Sequence, residues 1–588
     1  MTYTWDAILS HVARRIGEVA ETEVEVADLV TPPNPDLGDI AFGCFKLAKA
    51  QGKSPADIAQ TISEALKKGD QTIASAVAAG PYVNLTLKAG EFILRVIQEV
   101  ERDGASYGAS DEGEMKTLLF EYANPNTHKE VHVGHLRNFI LGVSLARILK
   151  RTGYNLIPIS YLNDVGSNVG KTLWRLVTMA GYDVHTFQAH ELTQLLLHVP
   201  QDKQTGNELG KIYTQAVAEV TAHPELQPDI SFVQTKLEEH DPIWEKLWYE
   251  TRRWCLDEFG AIFDELGIHI DHQYFESSLL DRSHEVVKEL LARGIAKESE
   301  GAVIVDLEDQ KLGIAVLRKT DGTLLYSAKD LALSELKVKD NPSLWRSLVL
   351  VDSRQSLYFK QLSAILKLMG EKVDFGFIGY ELVTLPEGAM SSRKGNIITF
   401  QSLHDEILSV ARAETIARHP EWPEGKVAYT SWCVAMGGLK YGILKQDPDK
   451  VIVFESKRAL SFEGDTGPYI QYAATRLASI LKKAQWIPSE TSEVADPSLF
   501  TERAEQRLAL HVALFPRAVG RASAELKPSL LAQWCFAMAQ HVAAFYHEVN
   551  VLESAPEAKT QRLRLVASAL SVLLLGLDLL GITVPEEM

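Results

Sequence analysis

Two histidines flank a glycine at His132, Gly134 and His135, and far along the chain Arg393 and Lys394 stand among small residues in the segment Met390 to Asn396. An apolar run, Thr117 to Phe120, precedes the first group, breaks at Asn124, Pro125 and Asn126, and gives way to a helical pattern in Leu136, Ile140, Val143 and Ile148. The reading is strand, turn, helix. Such a turn presents backbone N–H groups and the positive end of a helix dipole to an anion, and the histidines add donors aimed the same way. Phosphate is the natural guest, and Gly134 leaves room for a planar base against the helix start. Arg393 and Lys394 supply a cation pair suited to charge that develops on phosphate during reaction. The two segments read as halves of one ATP-binding site.

The elements that must position these groups follow from the apolar pattern. From Met115 to about Phe400, β-rich runs (Asn155 to Leu162, Ala302 to Leu307, Leu348 to Val351, Phe375 to Ile378) alternate with helical stretches, which predicts an α/β region built on a parallel sheet. A mainly helical stretch between Gly170 and Glu300, clearest at Trp244 to Phe263, reads as an insertion. Before it, helical segments (Ile8 to Val19, Pro55 to Leu66) alternate with short extended ones ending in Pro81 to Leu87, and the Gly-rich run Gly104 to Gly113 reads as a linker. After about Val427 the pattern is helical to the end, with breaks near Pro488 to Pro497 and at Pro516. The expected domains are 1–110, 111–426 with the insertion at about 170–300, and 427–588.

Composition narrows the function. With 588 residues the chain is long for one hydrophobic core, and a net charge of −18 argues against a broad nucleic-acid-coating surface, so an RNA partner has to be held by local patches. Cys44, Cys255, Cys433 and Cys535 are scattered without C-x-x-C spacing, and no cysteine or carboxylate stands at zinc-like spacing around His128, His132 and His135. No zinc site and no disulfide framework are expected, and a reducing, cytoplasmic location is. Met1 to Arg15 lacks the apolar core of a secretory signal. Leu565 to Val584 is long enough to span a membrane, yet Arg564, Ser568, Ser571 and Asp578 make a polar stripe that fits a helix packed in a soluble core. The segment Val165 to Thr172 approaches a P-loop, but three residues rather than four separate Gly166 from Gly170 and Lys171. Arg503, Arg507, Arg517 and Arg521 share a helical arc with Leu510 and Leu514 and read as ordinary surface charge.

Taken together, Glu121 to Asn138 resembles the first signature of class I aminoacyl-tRNA synthetases, and Met390 to Asn396 resembles the second in the form found in arginyl-tRNA synthetases. Further segments resemble the same family in order: Asn34 to Asp39 with Leu47 to Lys49, Leu317 to Asp330, Asp352 to Gln355, Phe462 to Ala473, and Leu577 to Ile582. The resemblance implies a Rossmann-like parallel-sheet catalytic domain with a helical insertion, a small α+β N-terminal domain that contacts tRNA, and an all-α C-terminal anticodon-binding domain. It implies ATP with magnesium, L-arginine and the arginine tRNA as substrates, a monomer, and no membrane partner. Activation is expected to require bound tRNA.

Carried over by position, the resemblance assigns the arginine pocket to Glu121, Asn126, Tyr326, Asp330 and Gln355. A guanidinium is planar and permanently charged, so carboxylates with amide and phenol acceptors suit it, and Asp330 falls four residues after Tyr326, on one helix face. ATP contacts fall to His132, Gly134, His135, Met390, Ser391 and Lys394, with His132, His135, Arg393 and Lys394 catalytic. The second signature usually opens with lysine, where this chain has Ala389; Lys129, three residues before the first histidine, is expected to compensate. RNA contacts fall to Tyr469, Tyr472, Tyr546 and Met588 for the anticodon, and to Tyr82 and Asn84 in the N-terminal domain, tyrosines being apt for stacking on splayed bases. Three other readings compete. A nucleotidyltransferase shares H-x-G-H but usually lacks a long helical C-terminal domain. A catalytically silent tRNA-binding relative would have lost signature or pocket residues. A class I enzyme for another cationic amino acid, lysine above all, would share the carboxylates.

Overall fold

A computed structural model of the chain describes residues 2–32, 34–66, 70–384, 398–487 and 496–588. Helix α1 (Thr4–Ala20) buries Trp5, Ile8, Leu9, Val12 and Ile16, a stripe at helical spacing. With it fold β1 (Leu29–Val30), β2 (Ile40–Gly43), α2 (Phe45–Gln51), α3 (Pro55–Leu66), β3 (Ile73–Ala79) and β4 (Tyr82–Leu87), whose strands pair antiparallel in the order β1-β2-β4-β3. Helix α4 (Ala89–Asp103) leads into the stretch expected to be a linker. It is packed instead: Tyr107 is fully buried and stacks on Phe515, ring centroids 6.1 Å apart. Gly108 stands so close to that ring that an added Cβ would meet it at 2.5 Å.

The central region runs β5 (Thr117–Glu121), α5 (Val133–Arg151), β6 (Asn155–Leu162), α6 (Ser167–Met179), α7 (Ala189–His198), α8 (Gly206–Ala222), α9 (Gln227–Glu238), α10 (Pro242–Leu266) and β7 (His272–Phe275). It continues with α11 (Leu280–Ala292), β8 (Lys297–Ser299), β9 (Ala302–Asp306), β10 (Ile314–Arg318), α12 (Tyr326–Asp340), β11 (Leu344–Asp352), α13 (Ser356–Met369), β12 (Asp374–Tyr380) and β13 (Val383–Thr384). Among the described residues, five of these strands form a parallel sheet in the order β12-β11-β5-β6-β7. Successive strands leave β5 toward β6 on one side and β11 on the other, so the doubly wound sheet has its switch point between β5 and β11, where ligands of such sheets bind. Strand β5 is buried along its whole length, as a strand covered on both faces must be. Leu118 and Phe120 belong to the core shared with α5, whereas Leu119 and Ile159 belong to the core with α11, α12 and α13. Glu121 has the parity of Leu119 and therefore faces α12.

Two expectations change here. The helical insertion is confined to α6–α10, because His272 to Phe275 returns to the sheet as β7, pairing Ile159 with His272. Ala302 to Leu307 does not join the parallel sheet: β9 sits between β10 and β8 in a small antiparallel one. A strand's apolar run reports that it is buried, not which sheet buries it.

The remainder comprises α14 (Phe400–Arg418), α15 (Glu424–Leu444), β14 (Ile452–Val453), α16 (Ser456–Ala459), α17 (Gly467–Lys483), α18 (Arg503–Ala513), α19 (Phe515–Ala524), α20 (Pro528–Glu548) and α21 (Pro556–Leu579). Strand β14 pairs in parallel with β13, tying the start of this region back to the central one. Pro516 opens α19 in its first turn, which explains the predicted break. Among the described residues no helix is long and apolar enough to cross a membrane. The arginines read as surface charge turn out to be ties between regions: Arg503 and Arg507 pair with Asp36, and Arg517 with Asp6 at 2.6 Å. Arg564 on α21 reaches Glu101 on α4 at 2.7 Å, and Gln506 donates to Asp39 at 2.9 Å. Only Arg521 stays on its own helix, 3.2 Å from Glu525.

Candidate active site

A cavity of about 500 Å³ opens at the carboxyl ends of β5, β6 and β11, at the switch point of the sheet. Its lining includes all five residues expected of the arginine pocket, Glu121, Asn126, Tyr326, Asp330 and Gln355. Tyr326 is the first residue of α12, and Tyr326, Asp330, Ser334 and Lys337 all line the cavity, a stripe at helical spacing along one face. Glu121 comes from the end of β5 and Gln355 from the turn after β11. Tyr326 is 65% exposed and marks the rim.

Charges inside this cavity are mostly matched. Glu121 forms a buried ion pair with Lys337 and accepts from the Asn124 amide at 2.8 Å. Glu276 pairs with Lys329 and accepts from Asn163. Asp352 pairs with Arg354 at 2.8 Å. Asp330 differs: it accepts from the Tyr358 hydroxyl, and among the described residues it forms no ion pair. Burial pushes its carboxyl up to about 7, opposed by the Tyr358 hydrogen bond and the charge of Lys337, and reinforced by the charges of Glu121 and Glu276. A buried carboxylate without a counter-ion is costly, and a cationic side chain entering the cavity removes that cost.

At the edge of the cavity α5 begins with an unusual cap. His132 is the N-cap and its Nδ1 accepts from the Gly134 N–H at 3.1 Å, while Nδ1 of His135 accepts from the His132 N–H at 3.1 Å. Each Nδ1 is thus an acceptor, which leaves the proton on Nε2 of both rings. The rings stack with centroids 3.9 Å apart. Burial pushes His132 down to about 4, and burial with the neighbouring His132 and Lys129 charges holds His135 well below its ordinary value. Both are therefore neutral donors at physiological pH, offering Nε2–H groups rather than charge. The crowding at Gly134 comes from the cap itself: an added Cβ would lie 2.8 Å from His132 Cε1, before any base is considered.

Lys129 lies over the Tyr213 ring at 5.4 Å, and burial together with Lys171 lowers its pKa. His128 faces away, fully buried, with its ring nitrogens 3.0 Å from Thr127 Oγ1 and 2.9 Å from Thr251 Oγ1. Met390, Ser391, Arg393 and Lys394, with Ala389, lie outside the described residues. The chain resumes against α5: Val133 N–H donates to Ile398 at 3.1 Å and Phe400 N–H to Val131 at 2.8 Å.

A second cavity, about 770 Å³, lies in the C-terminal region and is lined by Tyr472, Tyr546 and Met588 among others. The Arg476 guanidinium in its lining lies 4.7 Å from the Tyr472 ring and 4.4 Å from the Tyr546 ring, and donates a 3.0 Å hydrogen bond to Tyr472 Oη. Trp422 and His419 stack across its wall at 3.8 Å. Tyr469 does not line it; it packs against Phe536 at 5.8 Å. In the N-terminal sheet Tyr82 is 41% exposed and meets Phe45 edge-on at 5.5 Å, whereas Asn84 is 6% exposed and so is not presented to a partner.

Comparison with known proteins decides the family. The description "tRNA synthetases class I (R), catalytic domain" matches residues 97–454, between the "Arginyl tRNA synthetase N terminal domain" at 6–87 and the "DALR anticodon binding domain" at 470–588. The chain belongs to the arginyl-tRNA synthetase family. Family relatives run the length of the chain: an arginine–tRNA ligase of Bdellovibrio bacteriovorus is 34% identical, covering 95% of this chain and 94% of its own. One of Clostridium botulinum is 32% identical, covering 98% and 99%. The solved arginyl-tRNA synthetase of Thermus thermophilus is 26% identical and superposes with a TM-score of 0.77 over 99% of this chain and all of its own.

Within the family frame, several groups of the cavity are absent from the motif reading. Glu276, Asn163, Lys337 and Tyr358 come from four separate segments and carry no local spacing that would mark them. Arg476 was findable: it follows Tyr472 by four residues on α17, the spacing that brings side chains together.

Proposed function

We propose that the protein ligates L-arginine to its tRNA through an arginyl-adenylate, and that Asp330 is the counter-ion of the substrate guanidinium. The observation that carries this is the charge pattern of the cavity, where Asp330 is the carboxylate that forms no ion pair among the described residues. Tyr326, Glu121, Asn126 and Gln355 surround the rest of the amino acid. In the first step the arginine carboxylate attacks the α-phosphate of ATP and pyrophosphate leaves; in the second a terminal tRNA hydroxyl attacks the adenylate carbonyl and AMP leaves. No covalent enzyme intermediate is required, so the work is positioning and charge stabilisation. His132 and His135 donate Nε2–H to phosphate oxygens beside the α5 N-terminus, with Gly134 giving access and Lys129 adding charge in place of the missing lysine at 389.

Met390, Ser391, Arg393 and Lys394 complete the nucleotide site in this reading. ATP enters as its magnesium complex, the ion held by phosphate oxygens. Tyr472, Tyr546, Arg476 and Met588 meet the anticodon, and Tyr82 meets the tRNA body. One chain carries every part, which suits a monomer acting in the cytoplasm with domains near 1–110, 111–426 and 427–588. ATP–pyrophosphate exchange across the standard amino acids, with and without tRNA, tests the proposal. Exchange that depends on arginine supports it; exchange with lysine alone overturns it.

A further inference from the structure

We infer that the Tyr161 hydroxyl determines specificity in the cavity by accepting a hydrogen bond from a substrate guanidinium nitrogen that Asp330 does not take, an inference that rests on the function proposed above. Tyr161 stands on β6 two residues beyond Ile159, so its side chain leaves the sheet on the same face and packs against the core that holds α12 and α13. It lines the cavity. Its backbone N–H donates to Asn124 Oδ1 at 2.8 Å, and the amide of that same side chain holds Glu121 at 2.8 Å, which fixes Tyr161 relative to a pocket carboxylate. The hydroxyl oxygen is shut from solvent and has no hydrogen-bond partner among the described residues.

A buried hydroxyl without a partner is costly, and a donor brought in by a ligand removes that cost. The donor chemistry follows from what the rest of the lining has left. A guanidinium carries five N–H donors in a rigid fork and no acceptor, and a bidentate pair with one carboxylate uses only two of them. Of the other carboxylates in the lining, Glu121, Glu276 and Asp352 are already paired with Lys337, Lys329 and Arg354. Tyr161 offers an uncommitted oxygen. Burial first, then the charges of Asp330, Glu276, Glu121 and Asp164, pushes its pKa up, so the phenol stays neutral and serves a donor without adding charge. An ammonium gathers its three donors on one nitrogen and is satisfied by Asp330 alone. A second acceptor favours donors spread over three nitrogens, which separates arginine from lysine where charge does not.

The test is Tyr161→Phe, which removes one oxygen atom, in steady-state charging of arginine tRNA with agmatine (arginine without its carboxylate) and L-lysine as competitive probes. The KM for arginine and the inhibition constant of agmatine are each expected to rise by roughly 10–100-fold, the worth of a hydrogen bond from a charged donor. The KM for ATP and the inhibition constant of lysine are expected to hold within about threefold. The melting temperature is expected to stay or rise, because the atom removed has no partner to lose. Tyr274→Phe is the contrast: Tyr274 lies opposite Tyr161 on β7, but its hydroxyl donates to Asp340 at 3.2 Å, so its loss is expected to lower the melting temperature and leave the arginine KM at the wild-type value. An unchanged arginine KM in Tyr161→Phe overturns the role. So does weakening of arginine with agmatine unaffected, which would move the contact to the other end of the amino acid, or equal weakening of lysine. A wild-type protein that charges no arginine overturns the functional reading and this role together; charging with an arginine KM that Tyr161→Phe leaves unchanged overturns the role alone.

Discussion

The cavity around Asp330 and the C-terminal cavity, proposed for arginine and for RNA, are built from opposite materials. The pocket uses carboxylates, amides and lysines bound to one another, and leaves a single carboxylate without an ion pair among its described residues. The other cavity uses rings around a guanidinium, and Tyr546 is still 45% exposed there. A small cation can be selected by an unbalanced charge because it can be fully enclosed. A polymer cannot be enclosed, so it is met with flat, preorganised faces whose contribution is stacking.

The largest effect that sharpens this contrast is expected at Asp330. Asp330→Asn removes the partner of a buried cation, a loss of about 3–5 kcal/mol, or roughly 10²–10⁴ in the KM for arginine. The KM for ATP should hold within about threefold in the same steady-state charging assay; equal rises in both would break the assignment. Next in size is Lys129→Ala, which should lower kcat by roughly 10–100-fold, the worth of a charged hydrogen bond, with little change in arginine affinity. Near-normal kcat in single-turnover measurements would end its role as the substitute lysine.

The pH dependence comes third. Because burial raises the Asp330 carboxyl to about 7 in the empty protein, the anion that receives a guanidinium is fully present only above that value and is lost as pH falls through it. Arginine affinity by calorimetry should therefore weaken by about tenfold per pH unit below 7. Proton release should accompany binding near neutrality, and Asp330→Asn should flatten the profile; a flat wild-type profile would count against the charge imbalance. The smallest effect is expected in the other region: Tyr546→Ala should raise the KM for tRNA by roughly fivefold, the low end of a lost stack. A rise in arginine KM at constant tRNA saturation would erase the distinction between the two regions.

The five residues that the family resemblance assigns to the pocket, Glu121, Asn126, Tyr326, Asp330 and Gln355, do line one cavity, because each sits in a local segment that resemblance can match. What was hidden is relational. Glu276 becomes a pocket residue only when β7 returns to the sheet, and the sequence pattern dissolved β7 into a helical insertion because four residues are too few to show a period. Lys337 reads as an ordinary helix lysine until the parity of β5 turns Glu121 toward it. Arg503, Arg507 and Arg517 looked like solvated charge because their partners, Asp36 and Asp6, lie hundreds of residues earlier.

Those same ties have a geometric consequence. Asp36, Asp6, Glu101 and the buried Tyr107 fasten the N-terminal sheet to α18, α19 and α21, so Tyr82 and the Arg476 cavity ride on one frame. Under the proposed function, an RNA that meets both Tyr82 and the Arg476 cavity has to match the separation this frame fixes between them.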